Sequence, residues 1–322
     1  LLHYRPSEAD ITVARERVER QAQQREDEKA SAMEPAVTTD GHRIEVVANV
    51  RNAQEARDGV VLGAEGVGLL RSEFLFDERE TAPSEDEQAA EYVAVAQALG
   101  HERSLVIRTL DVGGDKPLAY LPMPKEDNPF LGLRGLRVSL ENPAMFRAQL
   151  RAILRTARLT RLHIMFPMVA TLDEWRKAKA TVDAILAEEH LAAGQGDVKI
   201  GLMIEVPSAA LIAERFARES DFFSIGTNDL TQYTCALDRQ NAKLEPFFDP
   251  HHPAVLKAIR MTIEAGHRHG IWVGICGELG ADTALTETFL RMGVDELSMN
   301  AKSILPVRKI IRSVDLSKPS EK

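Results

Sequence analysis

The chain is poor in cysteine, aromatics and long apolar runs, and its basic residues are outnumbered by its acids. Two cysteines occur in 322 residues, Cys235 and Cys276, with no Cys-x-x-Cys spacing. That excludes a disulfide framework and suits a reducing cytoplasm. Aromatic side chains make up 5%, too few for a surface that stacks single-stranded nucleic acid. The formal net charge is −9. The overall field therefore repels a polyanion, and an anionic substrate has to be held by a local group of arginines. No apolar run approaches the roughly 18 to 20 residues that cross a bilayer, which argues against membrane insertion. A Gly-x-Gly-x-x-Gly dinucleotide fingerprint is missing as well. Leu1-Leu2-His3-Tyr4 is neither a signal peptide nor an initiator-methionine start, so the chain is expected to begin partway through a longer protein.

Hydrophobic residues make up 44%, enough to bury a sizeable core in one large domain or two ordinary ones. Residues 8–33 are rich in Glu, Arg, Gln and Ala with little apolar patterning, and read as an exposed helix or helical linker. Pro35 to Gly41 breaks it. Short apolar segments then recur at 44–50, 67–70, 105–110, 162–168, 200–204, 222–225, 272–275 and 296–299. Each is short and aliphatic or aromatic, as strands buried on both faces are. Helical patterns separate most of them. Phe146, Leu150, Ile153, Leu154 and Ala157 share one face. Thr171 and Glu174 form a capping box ahead of Trp175, Val182, Ile185 and Leu186. Val255, Leu256, Ile259 and Ile263 make another stripe, stopped by Gly270. Eight strands alternating with helices predict an α/β fold, a closed (β/α)8 TIM barrel over residues 36–322. An open doubly wound sheet is the alternative.

Residues 221–239, DFFSIGTNDLTQYTCALDR, are the most informative stretch. An apolar run stops at Gly226-Thr227, and the amide of Asn228 and the carboxylate of Asp229 follow side by side. Arg239 comes ten residues after Asp229. A hard-cation ligand, a neutral hydrogen-bonding group and an anion-binding fork suit a magnesium-held phosphate ester. Other expected strand ends add polar groups. These are Arg71, Arg108 with Asp111 beyond it, Glu205, Cys276 with Glu278, and Ser298 with Asn300. A carboxylate directly after an apolar strand, as at Glu205, is costly unless it is paired or metal-bound. It is either a buried ion pair with a barrel arginine or a magnesium ligand with Asp229. Arg71 could pair with Glu73. Yet Arg71, Arg108 and Arg239 at neighbouring strand ends would repel one another unless an anion sat among them.

Other candidates are weaker. Gly113-Gly114-Asp115-Lys116 offers a turn and a cation in the long connection from 110 to 162, a loop of the length that serves binding at a barrel mouth. Of Arg134 and Arg137, one is expected to line the site and the other to face solvent. Cys276 reads either as a small buried thiol or as an acid or nucleophile whose proton nearby arginines loosen. Cys235 reads as packing. None of the nine histidines sits in a loop suited to a swinging phosphoacceptor; each reads as capping, surface or structural.

Eight ordered motifs now stand out: GAEGVGLLRSEFLF, IRTLDVGGDKPL, NPFLGLRGLR, MFPMV, GLMIEVPSAA, DFFSIGTNDLTQYTCALDR, GICGEL and GVDELSMN. In this order the chain resembles the phosphoenolpyruvate (PEP)-utilising enzymes. It is most similar to the C-terminal PEP-binding domain of enzyme I, the PEP–protein phosphotransferase of the bacterial sugar phosphotransferase system. The likeness runs from about 36 to about 312. It implies that Arg71, Arg108 and Arg239 grip the phosphate and carboxylate of PEP, with Asn228 adding a hydrogen bond. Glu205 and Asp229 would hold Mg2+. Lys116 and Arg134 would be further phosphate or loop contacts, and Cys276 would protonate the enolate to pyruvate. The family's phosphoacceptor histidine lies in a separate N-terminal domain, and its TSH-type motif is missing here, as is the segment that binds the carrier HPr. The resemblance therefore makes residues 1–35 a linker to that domain and the barrel a homodimer-forming fragment. A PEP-responsive module of a multiphosphoryl-transfer or nitrogen-regulatory paralogue, and the barrel of a pyruvate phosphate dikinase or PEP synthase, stay open as alternatives.

Overall fold

The computed structural model describes residues 7–77, 79–113, 118–188 and 198–319. Eight parallel strands close into one barrel in chain order. They are β1 (Glu45–Val50), β2 (Gly66–Leu70), β3 (Ser104–Arg108), β4 (Arg161–Phe166), β5 (Lys199–Ile204), β6 (Phe222–Ile225), β7 (Trp272–Ile275) and β8 (Glu296–Met299). All eight expected segments are strands, and the fold is a (β/α)8 TIM barrel. Two stop earlier than expected. β3 stops at Arg108, and β4 stops at Phe166, two residues before Met168 turns into the left-handed region at φ 58°.

The helices form where the caps and stripes predict them. Thr171 Oγ1 accepts the Glu174 N–H at 3.2 Å, and Glu174 accepts the Thr171 N–H at 2.9 Å, opening helix Leu172–Glu188. Its buried face carries Trp175, Val182 and Ile185, while Leu186 is only partly covered. Phe146, Leu150, Ile153 and Leu154 are buried on helix Pro143–Leu154, and Ala157 lies beyond its end. Gly270 takes φ +71° after helix Pro253–Arg268, a stop that disfavours a side chain. Helix Glu8–Ala30 is exposed along its described side chains. The chain after it is held to the barrel: Arg308 donates to the Ala32 carbonyl, and Arg312 to the carbonyls of Ser31 and Glu34. Among the described residues no helix is long and apolar enough to cross a membrane.

Most of the core lies between the barrel wall and its helices. A second, smaller cluster fills the barrel itself: Leu69, Val106, Met165, Met203, Phe222 and Cys276. Phe222 and Trp272 stack there at 4.7 Å, with the His163 ring edge-on to both. Side chains along a strand alternate faces, so cross-strand register sets the inner layers. Glu296 pairs with Gly274, Gly274 with Ser224, and Ser224 with Met203. The β1–β2 register slips by one residue after Ala48–Val67, so that Asn49 pairs with Leu69. The slip brings Leu69 inside the barrel and leaves Arg71, two residues on, at the rim.

Candidate active site

The carboxyl ends of the strands surround a cavity of about 970 Å³. Its wall includes Arg71, Arg108, Glu205, Asn228, Asp229 and Arg239, with Arg134 and Cys276 also lining it. Every described residue to which the resemblance gave a role therefore meets at one mouth. Lys116 lies outside the described residues.

Acids and bases alternate around this mouth. Arg108, at the end of β3, reaches Glu73 Oε1 at 3.0 Å and Asp111 Oδ2 at 3.2 Å. Arg134 holds Asp111 through two nitrogens and reaches Asp229 Oδ1 at 2.8 Å. Arg239 meets Asp229 Oδ2 at 3.3 Å. The run Glu73–Arg108–Asp111–Arg134–Asp229–Arg239 thus crosses the mouth with opposite charges next to each other. Burial pushes the Arg108 and Arg134 guanidinium groups down, but the carboxylates outweigh it and hold both firmly charged. Interleaved carboxylates therefore answer the repulsion expected among the arginines. Glu73 is the partner of Arg108, not of Arg71. Arg71 is exposed and makes no ion pair among the described residues. The two arginines of the long loop separate as expected: Arg134 faces the cavity, while Arg137 pairs with Glu174 at 2.8 Å away from it.

Local backbone geometry explains how Arg134 gets there. Gly113 bridges Arg134 in an antiparallel pair at φ +109°. A Cβ on Gly113 would lie 2.2 Å from the Leu133 carbonyl oxygen, so only glycine lets the two backbones approach. The neighbouring Phe130 ring lies 5.8 Å from the Arg134 guanidinium carbon, within cation–π range.

Glu205 is buried, and its Oε1 accepts the Met168 N–H at 2.7 Å. No arginine lies within ion-pair distance of it among the described residues, so the buried ion pair considered from the sequence is not formed. Burial pushes its carboxyl up to about 8, reinforced by the charges of Asp229 and Asp111 and opposed by Arg108 and Arg134. No group of three or more His, Cys, Asp or Glu side chains converges as a metal cluster among the described residues.

Asn228 clamps two loops together, its Oδ1 accepting the Glu278 N–H at 2.9 Å. Thr227 Oγ1 accepts the Leu279 N–H at 3.3 Å beside it. Gly277 allows this approach, since a Cβ there would lie 2.0 Å from Thr227 Oγ1. Cys276 sits just below, 2% exposed, with its thiol 3.6 Å from the Ile225 carbonyl. Burial pushes the thiol up to about 12. That corrects the expectation of a loosened proton. Desolvation of the thiolate outweighs the pull of Arg108 and of the Ser224 hydroxyl. Cys235 is half-buried in helix Thr227–Cys235, outside the cavity. Ser298 bonds to Asn49 inside the barrel, and neither Ser298 nor Asn300 lines the cavity. The described histidines take structural places: His252 caps helix Pro253–Arg268, His251 faces Asp282, and His267 faces Asp295.

The sequence reading gave no role to Asp111 and considered Glu73 only as a mate for Arg71. Both join neighbouring strand ends through arginine. Asp111, three residues beyond Arg108, carried the available signal.

Known proteins match this architecture. The family described as PEP-utilising enzyme, PEP-binding domain, matches residues 25–316. The phosphoenolpyruvate-protein phosphotransferase of Bacillus subtilis (strain 168) is 48% identical over 281 residues, covering 85% of this chain and 48% of that protein. Its counterpart in Priestia megaterium is 44% identical over 312 residues, covering 96% and 54%. That of Haemophilus influenzae is 47% identical over 283 residues, covering 87% and 49%. The chain spans about half the length of these curated relatives. A solved HpcH/Hpal aldolase/citrate lyase family protein from Burkholderia cenocepacia J2315 superposes with a TM-score of 0.50 at 16% identity, covering 87% of this chain and 95% of that one, and shares the fold alone. By the span of the family match and the identity of these relatives, this chain belongs to the PEP-binding domain family of the PEP-utilising enzymes.

Proposed function

We propose that this chain is the PEP-binding, pyruvate-forming part of enzyme I, a PEP–protein phosphotransferase of the bacterial sugar phosphotransferase system. The observation that carries the reading is the meeting, at one barrel mouth, of an arginine-rich charged ring with a buried thiol that keeps its proton. Among the described residues Arg71 has no ion-pair partner and the Arg239 side chain is engaged through one nitrogen, so both offer donors to the phosphate and carboxylate of PEP. Arg108 completes the grip from the floor. Asn228 spends its Oδ1 on the Glu278 N–H and keeps its amide N–H groups for the ligand. Arg134 is the further phosphate contact and also steadies Asp111 and Asp229. Lys116 is assigned a loop or phosphate contact by resemblance alone.

Glu205 and Asp229 would hold Mg2+. The residues fit, because Glu205 is buried without a cation and is repelled by Asp229 and Asp111. Mg2+ takes one or two protein carboxylates and completes its shell with waters and substrate oxygens. When bound, the ion draws charge from the ester oxygens. The chain's own part is to hold PEP in line with an incoming imidazole and to stabilise the enolate as phosphorus departs. Cys276 then gives its proton to the methylene carbon, forming pyruvate.

On this reading the phosphoryl acceptor is a histidine of an N-terminal domain joined through residues 1–35, for relay to HPr. The assembly is a cytoplasmic homodimer. The test is the Cys276→Ala variant supplied with a phosphohistidine domain in trans. PEP should still raise its melting temperature, while pyruvate formation falls by about 10²- to 10⁴-fold, the range of general acid catalysis. Unimpaired pyruvate formation would overturn the acid role.

A further inference from the structure

Glu296 is a buried acid for which the reading above has no use. It begins β8, is 3% exposed, and points into the barrel, where Oε1 has no hydrogen-bond partner. Two glycines make room for its carboxyl group. Oε1 lies 2.7 Å from where a Cβ on Gly68 would stand and 3.0 Å from where one on Gly274 would stand. Gly274 separates Glu296 from Ser224 in the same inner layer, pairing with the first on β8 and the second on β6. Neighbouring strands lie about 4.8 Å apart. The acid and the hydroxyl therefore start about two strand spacings apart, with no side chain on the strand between them. Ser224 Oγ is also buried and makes no hydrogen bond to a nitrogen or oxygen among the described residues. Cys276 follows Gly274 by two residues, on the same face and one layer nearer the mouth, and the Ser224 hydroxyl acts on its thiol. Buried polar atoms are normally satisfied. Here the acid oxygen has no partner and the hydroxyl has only the thiol, and both lie in the layer beneath that thiol.

We propose that Glu296 is a proton reservoir for Cys276, reached through Ser224, so that the thiol is recharged from inside the barrel while product fills the mouth. The inference rests on Cys276 being the proton donor. In the first step the Cys276 S–H bond breaks and a C–H bond forms at the enolate methylene, using its C=C electron pair. The thiolate then takes the Ser224 hydroxyl proton as Ser224 takes the carboxyl proton of Glu296. The carboxylate left behind is reset through the same groups once solvent enters the emptied mouth. No oxidation or reduction is involved. The direction is favourable. Burial pushes Glu296 up to about 8, helped by the charges of Glu45, Asp295 and Glu65, so it enters the cycle protonated, yet it yields its proton more readily than the thiol at about 12. No lysine or arginine pairs with it among the described residues.

The test is exchange of pyruvate methyl protons for deuterium in D2O, followed by NMR with Mg2+ and inorganic phosphate present. Exchange runs the protonation step backward and requires the proton taken by Cys276 to wash out. The unmodified chain is expected to exchange. Glu296→Gln, isosteric but unable to donate as an acid, and Ser224→Ala are both expected to slow exchange by about 10- to 100-fold, with the PEP-induced melting shift retained. Melting curves show that each variant is folded, and the serine variant carries the test if the glutamine variant is not. Exchange at the unmodified rate in folded variants would overturn the relay and leave the proton donor standing. No exchange by the unmodified chain would sink the proton-donor reading and the relay together.

Discussion

Arg134 holds Asp111 through two parallel contacts, Nε to Oδ1 at 3.2 Å and Nη2 to Oδ2 at 3.1 Å. Both side chains are nearly sealed from solvent. This fork ties the long loop after β3 to the strand end below it, and a third nitrogen carries the tie on to Asp229. Breaking one partner of a buried pair strands a charge, at a cost of about 3–5 kcal/mol. Arg134→Met should therefore destabilise the chain by that order, read from denaturant midpoints. Adding Asp111→Leu should recover part of the loss, because the buried carboxylate left with Arg108 as its one remaining arginine is then removed. An equal loss in single and double variants would show that the pair acts through packing rather than charge.

The clamp between the loops after β6 and β7 depends on Gly277. A Cβ there meets Thr227 Oγ1 at 2.0 Å and the Thr227 backbone nitrogen at 2.5 Å. Gly277→Ala is expected to cost about 1–3 kcal/mol, the range of overpacking, and to weaken PEP binding by moving Asn228. Gly100→Ala makes a useful comparison at a glycine with nothing near its Cβ position. Its cost arises only from φ +75°, and it should leave PEP affinity unchanged.

Glu296 predicts a pH dependence of stability. Its folded carboxyl is raised to about 8 from an ordinary value of 4.5. A raised acid contributes stability in full below the unfolded value and loses it as pH rises toward the folded one, since the unfolded state releases its proton first. Glu296→Gln removes this falling limb. Its melting temperature should exceed that of the unmodified chain at pH 8 by several degrees, with the gap closing toward pH 4.5. A constant gap across the range would show that the carboxyl is not buried as a neutral acid. Glu205, also raised to about 8, contributes a limb of the same sign that persists in the variant.

The barrel was legible because the strands are short apolar runs, most of them ending in a polar residue, so the alternation that closes the sheet also marks the mouth. Glu205, Asn228 and Asp229 were found in that way. The pairing among the charges was not legible. Arg108 finds Glu73 because a 3-10 turn at Glu73–Leu75 follows β2 and folds the acid back over β3, a bend the residue order does not reveal. Arg134 reaches Asp229 across 95 residues. The thiol of Cys276 went the other way from expectation, because counting arginines in the sequence ignores burial, the larger effect here. Glu296 escaped notice as the first residue of a short strand. Only the register opposite Gly274, with Gly68 close by, shows that it points inward.

The most direct test of the central claim is a calorimetric titration of PEP into this chain with and without Mg2+. The account predicts that tight binding requires Mg2+ and is lost in Glu205→Gln, since that carboxylate is the one without a cation of its own. Equal PEP affinity with and without the metal, undiminished in Glu205→Gln, would contradict it.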